Sequence, residues 1–98
     1  MQLTTSDTED MLLTQAISLW GDSAQMDMAC EECGELISAI NQFKRGRITK
    51  EQVIDEIADV TILMAQMANM FGADEVQKTI TKKMYRLIER LSKAEPTY

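Results

Sequence analysis

A chain of 98 residues, 45% hydrophobic and 27% charged, has the make-up of one globular domain, and its net charge of −6 repels a nucleic-acid backbone, which excludes duplex binding as its main task. Histidine is absent, which excludes histidine general bases, Ser-His-Asp triads and the usual His-bearing zinc sites. No run of about 18 apolar residues offers a membrane span; Met1 to Asp10 is acidic, unlike a signal peptide, so a cytoplasmic location with reduced Cys30 and Cys33 is expected.

The only proline is Pro96, and the four glycines stand at 21, 34, 46 and 72. Punctuation this sparse predicts helices. The first spans about Thr8 to Trp20, capped by Ser6 or Asp7. The second starts at Asp22 or Ser23 and reaches Lys44, where Lys44-Arg45-Gly46-Arg47 makes a turn. Thr49-Lys50-Glu51-Gln52 has the capping-box pattern that opens a third helix, which stops at Gly72 after Phe71. The fourth runs from about Asp74 to Ala94, with Pro96 beyond. The expected fold is all-α, an antiparallel bundle of about four helices with the second and third side by side. A chain this short buries only about two-thirds of its unfolded surface, so a homodimer or homotetramer is expected.

In the second helix Met26, Ala29, Cys30, Cys33, Ile37 and Ile40 recur at three- and four-residue steps as a core-facing stripe. Glu32 and Glu35, one turn apart, lie on its flank, and Glu31 points further out. The third helix is apolar almost all round from Ile57 to Phe71, centred on Val53, Ile57, Val60, Met64, Met67 and Phe71. At 100° per residue Glu56 falls inside that arc, between Val60 and Leu63. Asp59 falls at its edge beside Leu63 and Met70, and Asp55 faces outward.

A carboxylate inside an apolar arc needs a partner. No basic residue occurs between Asp22 and Phe43 or between Gln52 and Phe71, so four acids brought together would repel one another unless a divalent cation joined them. An all-oxygen ligand set suits Mg²⁺, Mn²⁺ or Ca²⁺. Acidic pairs one turn apart also occur on solvated helix faces; what favours a site is two pairs on successive helices, one of them in an apolar arc. Cys30-x-x-Cys33 lacks the βαβ setting of a redox motif and the further ligands of a zinc site, so buried structural thiols are expected. The eight methionines suit an adaptable core or subunit interface. Trp20 is either a core anchor or a stacking surface for a base.

Glu31-Glu32-Cys33-Gly34-Glu35-Leu36 followed by Asp55-Glu56-Ile57-Ala58-Asp59-Val60 resembles the E-E-x-x-E … E-x-x-D signature of the MazG-like all-alpha nucleoside triphosphate pyrophosphohydrolases. The resemblance runs from about Trp20 to Arg90 and includes Trp20-Gly21, Gln25 and the Lys44-Arg45-Gly46 turn. It implies that Glu32, Glu35, Glu56 and Asp59 bind Mg²⁺, with Mn²⁺ as a substitute, that Glu31 is either an acid behind these ligands or the base that helps activate the attacking water, and that Glu35 is catalytic as well. It also implies hydrolysis of a nucleoside triphosphate to monophosphate and pyrophosphate. Longer relatives carry a late K-x-x-x-N pattern. Lys83 matches it, but Leu87 stands where the asparagine would be.

The triphosphate needs cations, and the fourth helix carries Lys82, Lys83, Arg86, Arg90 and Lys93 along one flank. Lys83 and Arg90 adjoin its apolar side (Val76, Ile80, Met84, Leu87 and Leu91) and are the leading phosphate contacts, with Arg86 between them; Arg45 and Arg47 are weaker candidates. The competing reading is a non-catalytic helical interaction protein. A third reading is a di-iron carboxylate bundle, which normally takes E-x-x-H pairs, so the lack of histidine argues against it.

Overall fold

The computed structural model describes residues 6–93. They form four helices: α1 (Asp7–Trp20), α2 (Asp22–Lys44), α3 (Lys50–Phe71) and α4 (Ala73–Ser92). The expected end of the last helix at Ala94 lies outside the described residues. Ser6, not Asp7, caps α1. Its Oγ accepts from the Glu9 N–H at 3.2 Å, and its N–H donates to Glu9 Oε1 at 3.0 Å. Thr49 and Gln52 close the same reciprocal pair at the start of α3, at 3.3 and 2.9 Å. Both boxes satisfy N–H groups that a helix start leaves orphaned. The breaks fall where glycine takes a positive φ: 90° at Gly21, 70° at Gly46 and 120° at Gly72.

α2 and α3 form a hairpin that is the centre of the protein. α1 lies against both, and α4 packs on α3 alone. The register can be followed along the hairpin. Gln25 and Met28 share a cleft with Leu63 and Gln66, Glu32 and Glu35 meet Glu56, and Ser38 and Gln42 share a second cleft with Gln52. The two helices are therefore antiparallel, as the sequence predicts.

The face of α2 that meets α3 differs from the expected stripe. The buried residues of α2 are Gln25, Ala29 and Ala39, whereas Ile37 is 63% and Ile40 45% exposed. Cys30 is exposed and Cys33 half-buried, so the expectation of two buried thiols fails. The arc of α3 holds in part: Val53, Val60, Met64 and Met67 of its expected centre are half-buried. Ala65, Gln66 and Ala68 are buried, while Ile57 and Phe71 are exposed. The reason is steric. Alanines let two helix backbones approach closely, and the larger side chains are displaced to faces that nothing in one chain covers. Met84, Tyr85, Ile88 and Leu91 of α4 are exposed too. The Cα radius of gyration is 15.9 Å, against about 12.6 Å for a compact domain of this length.

Candidate metal centre between α2 and α3

The capping box at Thr49 fixes where α3 starts and so the phase of its acids. Glu56 follows two turns in, half-buried against α2, and Asp59 one turn later, also half-buried. Glu32 and Glu35 stand mid-way along α2, the first half-buried and the second exposed. Two groups of carboxylates result. Glu32, Glu35 and Glu56 each bring one oxygen within 4.8 Å of the others, and Asp55, Glu56 and Asp59 do the same. Glu56 alone belongs to both.

The electrostatics are one-sided. Burial pushes the Glu32 carboxyl above the usual range, followed by the charges of Glu35 and Asp59, a hydrogen bond shared with Glu35 and the charge of Glu56. Glu56 is raised in the same way, by burial first, then by the charges of Glu35, Asp59 and Asp55 and a hydrogen bond with Glu35. Every charge acting on the two is another carboxylate. Glu32 Oε2 and Glu56 Oε2 are buried with no hydrogen-bond partner. Such a cluster either holds protons or accepts a cation, and a set of oxygen donors on two helices fits a hard divalent ion.

The cluster lies between two clefts. On one side Glu35 and Glu56 run into a polar cleft of about 280 Å³ with Ser38, Gln42, Ile48 and Gln52. On the other is an apolar cleft of about 550 Å³ lined by α1, α2 and α3. Trp20, 62% exposed at the end of α1, lines the apolar cleft.

The other sequence candidates sit apart. Glu31 is exposed and belongs to neither carboxylate group. Lys83 and Arg86 are exposed and Arg90 half-buried on α4, and no basic group acts on Glu32 or Glu56. One chain thus assembles the acids without a cation of α4 acting on Glu32 or Glu56. Two residues escaped the sequence reading. Asp55, expected to face outward, is exposed but still joins Glu56 and Asp59. Gln66 is buried in the apolar cleft, and an amide inside the apolar run from Ile62 to Met70 was its signal.

Fold and site together define an all-helical protein whose central hairpin presents a carboxylate cluster suited to a divalent cation. The chain belongs to the MazG family: the MazG nucleotide pyrophosphohydrolase domain matches residues 21–91, from the Gly21 break to the end of α4. Membership suggests nucleotide pyrophosphohydrolase activity. No curated protein and no solved structure matches the chain. No helix among the described residues is long and apolar enough to cross a membrane.

Proposed function

We propose that this protein is an Mg²⁺-dependent pyrophosphohydrolase that converts a nucleoside or deoxynucleoside triphosphate to the monophosphate and pyrophosphate, in cytoplasmic housecleaning of the nucleotide pool. The observation that carries the reading is the pair of buried, unpartnered oxygens, Glu32 Oε2 and Glu56 Oε2, on two carboxylates on which no basic group acts. Glu32, Glu35, Glu56 and Asp59 would hold the ion, and Mn²⁺ would substitute because all the donors are oxygens. Bound there, Mg²⁺ would neutralise triphosphate charge and make water more acidic.

The chain's own residues do the rest. Glu35, exposed and hydrogen-bonding within the cluster, accepts the proton of the attacking water, with Glu31 on the same helix as the other candidate base. Water adds its oxygen to phosphorus, the bridging P–O bond breaks, and pyrophosphate leaves. Lys83, Arg86 and Arg90 bind the phosphates, and Trp20 stacks on the base. The uncovered apolar faces of α2, α3 and α4 associate with further copies as a homodimer or homotetramer, and scattering from a monomer in solution would contradict this.

The test is a nucleotide panel incubated with the protein and Mg²⁺, with the products separated. A monophosphate and pyrophosphate are expected from at least one nucleotide, and neither in EDTA. No metal-dependent monophosphate from any nucleotide overturns the proposal. The same uncovered faces favour a non-catalytic interaction module as second reading; a melting temperature unmoved by Mg²⁺ plus nucleotide would support that one.

A further inference from the structure

We infer that the apolar cleft beyond the carboxylates is a nucleobase site in which the amides of Gln66 and Gln25 read the hydrogen-bonding edge of the base. The inference rests on the nucleotide reading above and adds to it the part of the substrate that the cleft selects.

Gln66 is 3% and Gln25 7% exposed, the only buried polar side chains among the described residues. Gln66 Nε2 donates to the Leu13 carbonyl of α1 at 3.4 Å. A carbonyl can only accept, so this bond fixes which way round the amide lies. Its Oε1 is consequently committed as an acceptor, and it is buried with no partner. A buried acceptor left unmade is costly, and since Gln66 lines this cleft, the N–H of a ligand seated there would relieve it. Gln25 brings a second amide, with both a donor and an acceptor.

The rest of the cleft narrows the ligand class. Its walls are apolar, with Leu13, Ala16, Met28 and Leu63 among them, and no charged side chain lines it. That excludes a phosphate and disfavours a free sugar. Its volume of about 550 Å³ lies within the range of small-molecule sites. Trp20 stands at its edge with an exposed indole, a surface on which a flat heterocycle stacks. Gln66 lies seven positions from Asp59 on α3, and Gln25 seven positions from Glu32 on α2. Each interval is about 10 Å along a helix axis, room for a sugar between a base in the cleft and phosphates at the acids. A flat ring with an N–H donor, apolar faces and a tether toward the carboxylates is a nucleobase.

Trp20 is the only tryptophan in the chain, so its fluorescence reports on this cleft alone. The intact protein, without metal, is titrated with the 5′-monophosphates of cytidine, uridine, adenosine and guanosine, and with inorganic tripolyphosphate as a probe lacking a base. Saturable quenching by at least one monophosphate, unequal between bases, and none by tripolyphosphate is expected. Gln66→Met keeps the length of the side chain and removes the acceptor. It should weaken the best monophosphate about tenfold or more and level the preference among bases. Gln25→Met, expected to act in the same direction, serves if Gln66→Met does not fold. No quenching by any monophosphate, or an unchanged base preference in a folded Gln66→Met or Gln25→Met protein, overturns the inference. Quenching that is base-selective in a protein that hydrolyses no triphosphate supports the cleft and removes the catalytic reading. Hydrolysis without any base preference or quenching does the reverse.

Discussion

Glu56→Gln tests the centre most directly, because Glu56 is the one carboxylate shared by both three-acid groups. Its loss leaves each group with two carboxylates, whereas loss of any other member leaves one group complete. Removing a partner outside the ligand shell typically weakens metal binding about 10–100-fold; loss of the shared ligand should weaken Mg²⁺ and Mn²⁺ by about 100-fold or more. The variant should also change how stability depends on pH. Glu32 and Glu56 are raised in the folded protein, while in the unfolded chain they ionise near the ordinary glutamate value of about 4.3. Between that value and the raised one the folded state binds more protons, so stability falls as pH rises through the window and returns as pH falls. Wild-type protein in EDTA should therefore melt at a higher temperature as pH drops from about 7 toward about 4.5. Glu56→Gln should show a shallower slope, and Mg²⁺ should reverse the slope, since ligands must be deprotonated to bind. Glu9 has the opposite sign, being held low by the backbone N–H of Ser6, but its contribution is lost only below this window. Calorimetric titration with metal and melting curves across pH, with EDTA and with Mg²⁺, make the measurement. Near-wild-type metal affinity in Glu56→Gln, or a melting temperature in EDTA that does not rise on acidification, would refute the reasoning.

The remaining expectations concern single residues. Asp55→Asn leaves the Glu32, Glu35 and Glu56 group whole, so it should weaken metal binding by only about 10-fold; an effect as large as that of Glu56→Gln in the same titration would remove the distinction between the groups. Thr49→Ala breaks the capping box of α3 and should cost about 1 kcal/mol, or about 5 °C in melting temperature for a domain of this size; no shift in a thermal melt would mean α3 is fixed from elsewhere. Gly72→Ala places a Cβ on a residue with φ 120° and against the Glu75 carboxylate. The flexible Glu75 side chain can turn away but the backbone cannot, so a loss of about 1–3 kcal/mol by denaturant titration is expected, and an Ala variant as stable as wild type would contradict it.

The helices were legible because their ends carry local chemistry. Ser6 with Glu9 and Thr49 with Gln52 write capping boxes into the sequence, and the three glycines that break the chain take the positive φ values only glycine adopts cheaply. The meeting of Glu32 and Glu35 with Glu56 was legible for a different reason. An acid inside an apolar arc, with no basic residue on its helix, has few ways to be satisfied. Which face of α2 meets α3 was not legible. Hydrophobic periodicity includes Ala29 but adds Ile37 and Ile40 and passes over Ala39, yet close approach of two helices rewards the alanines. Asp55 was missed because a helical wheel measures direction from the axis and not the reach of a neighbouring carboxylate.

A hairpin selected for stability alone would bury Ile37 and Ile40 between its helices and turn its carboxylates to water. This chain does the opposite: it half-buries Glu32, Glu56 and Asp59 along the seam and leaves the large apolar side chains outside. Both choices disfavour the isolated protomer, and departures of this kind from local rules concentrate at functional sites. Each also has its own remedy. A divalent cation would offset the carboxylates, and the further copies of the chain proposed above would cover the apolar faces. The least stable form should be the one deprived of both, a dilute protein in EDTA at neutral pH. Raising the protein concentration and adding Mg²⁺ should then restore stability independently, through different surfaces, so that Glu56→Gln abolishes the metal response and leaves the concentration response intact. Loss of both responses in that variant would mean that the seam and the apolar faces are one structural unit.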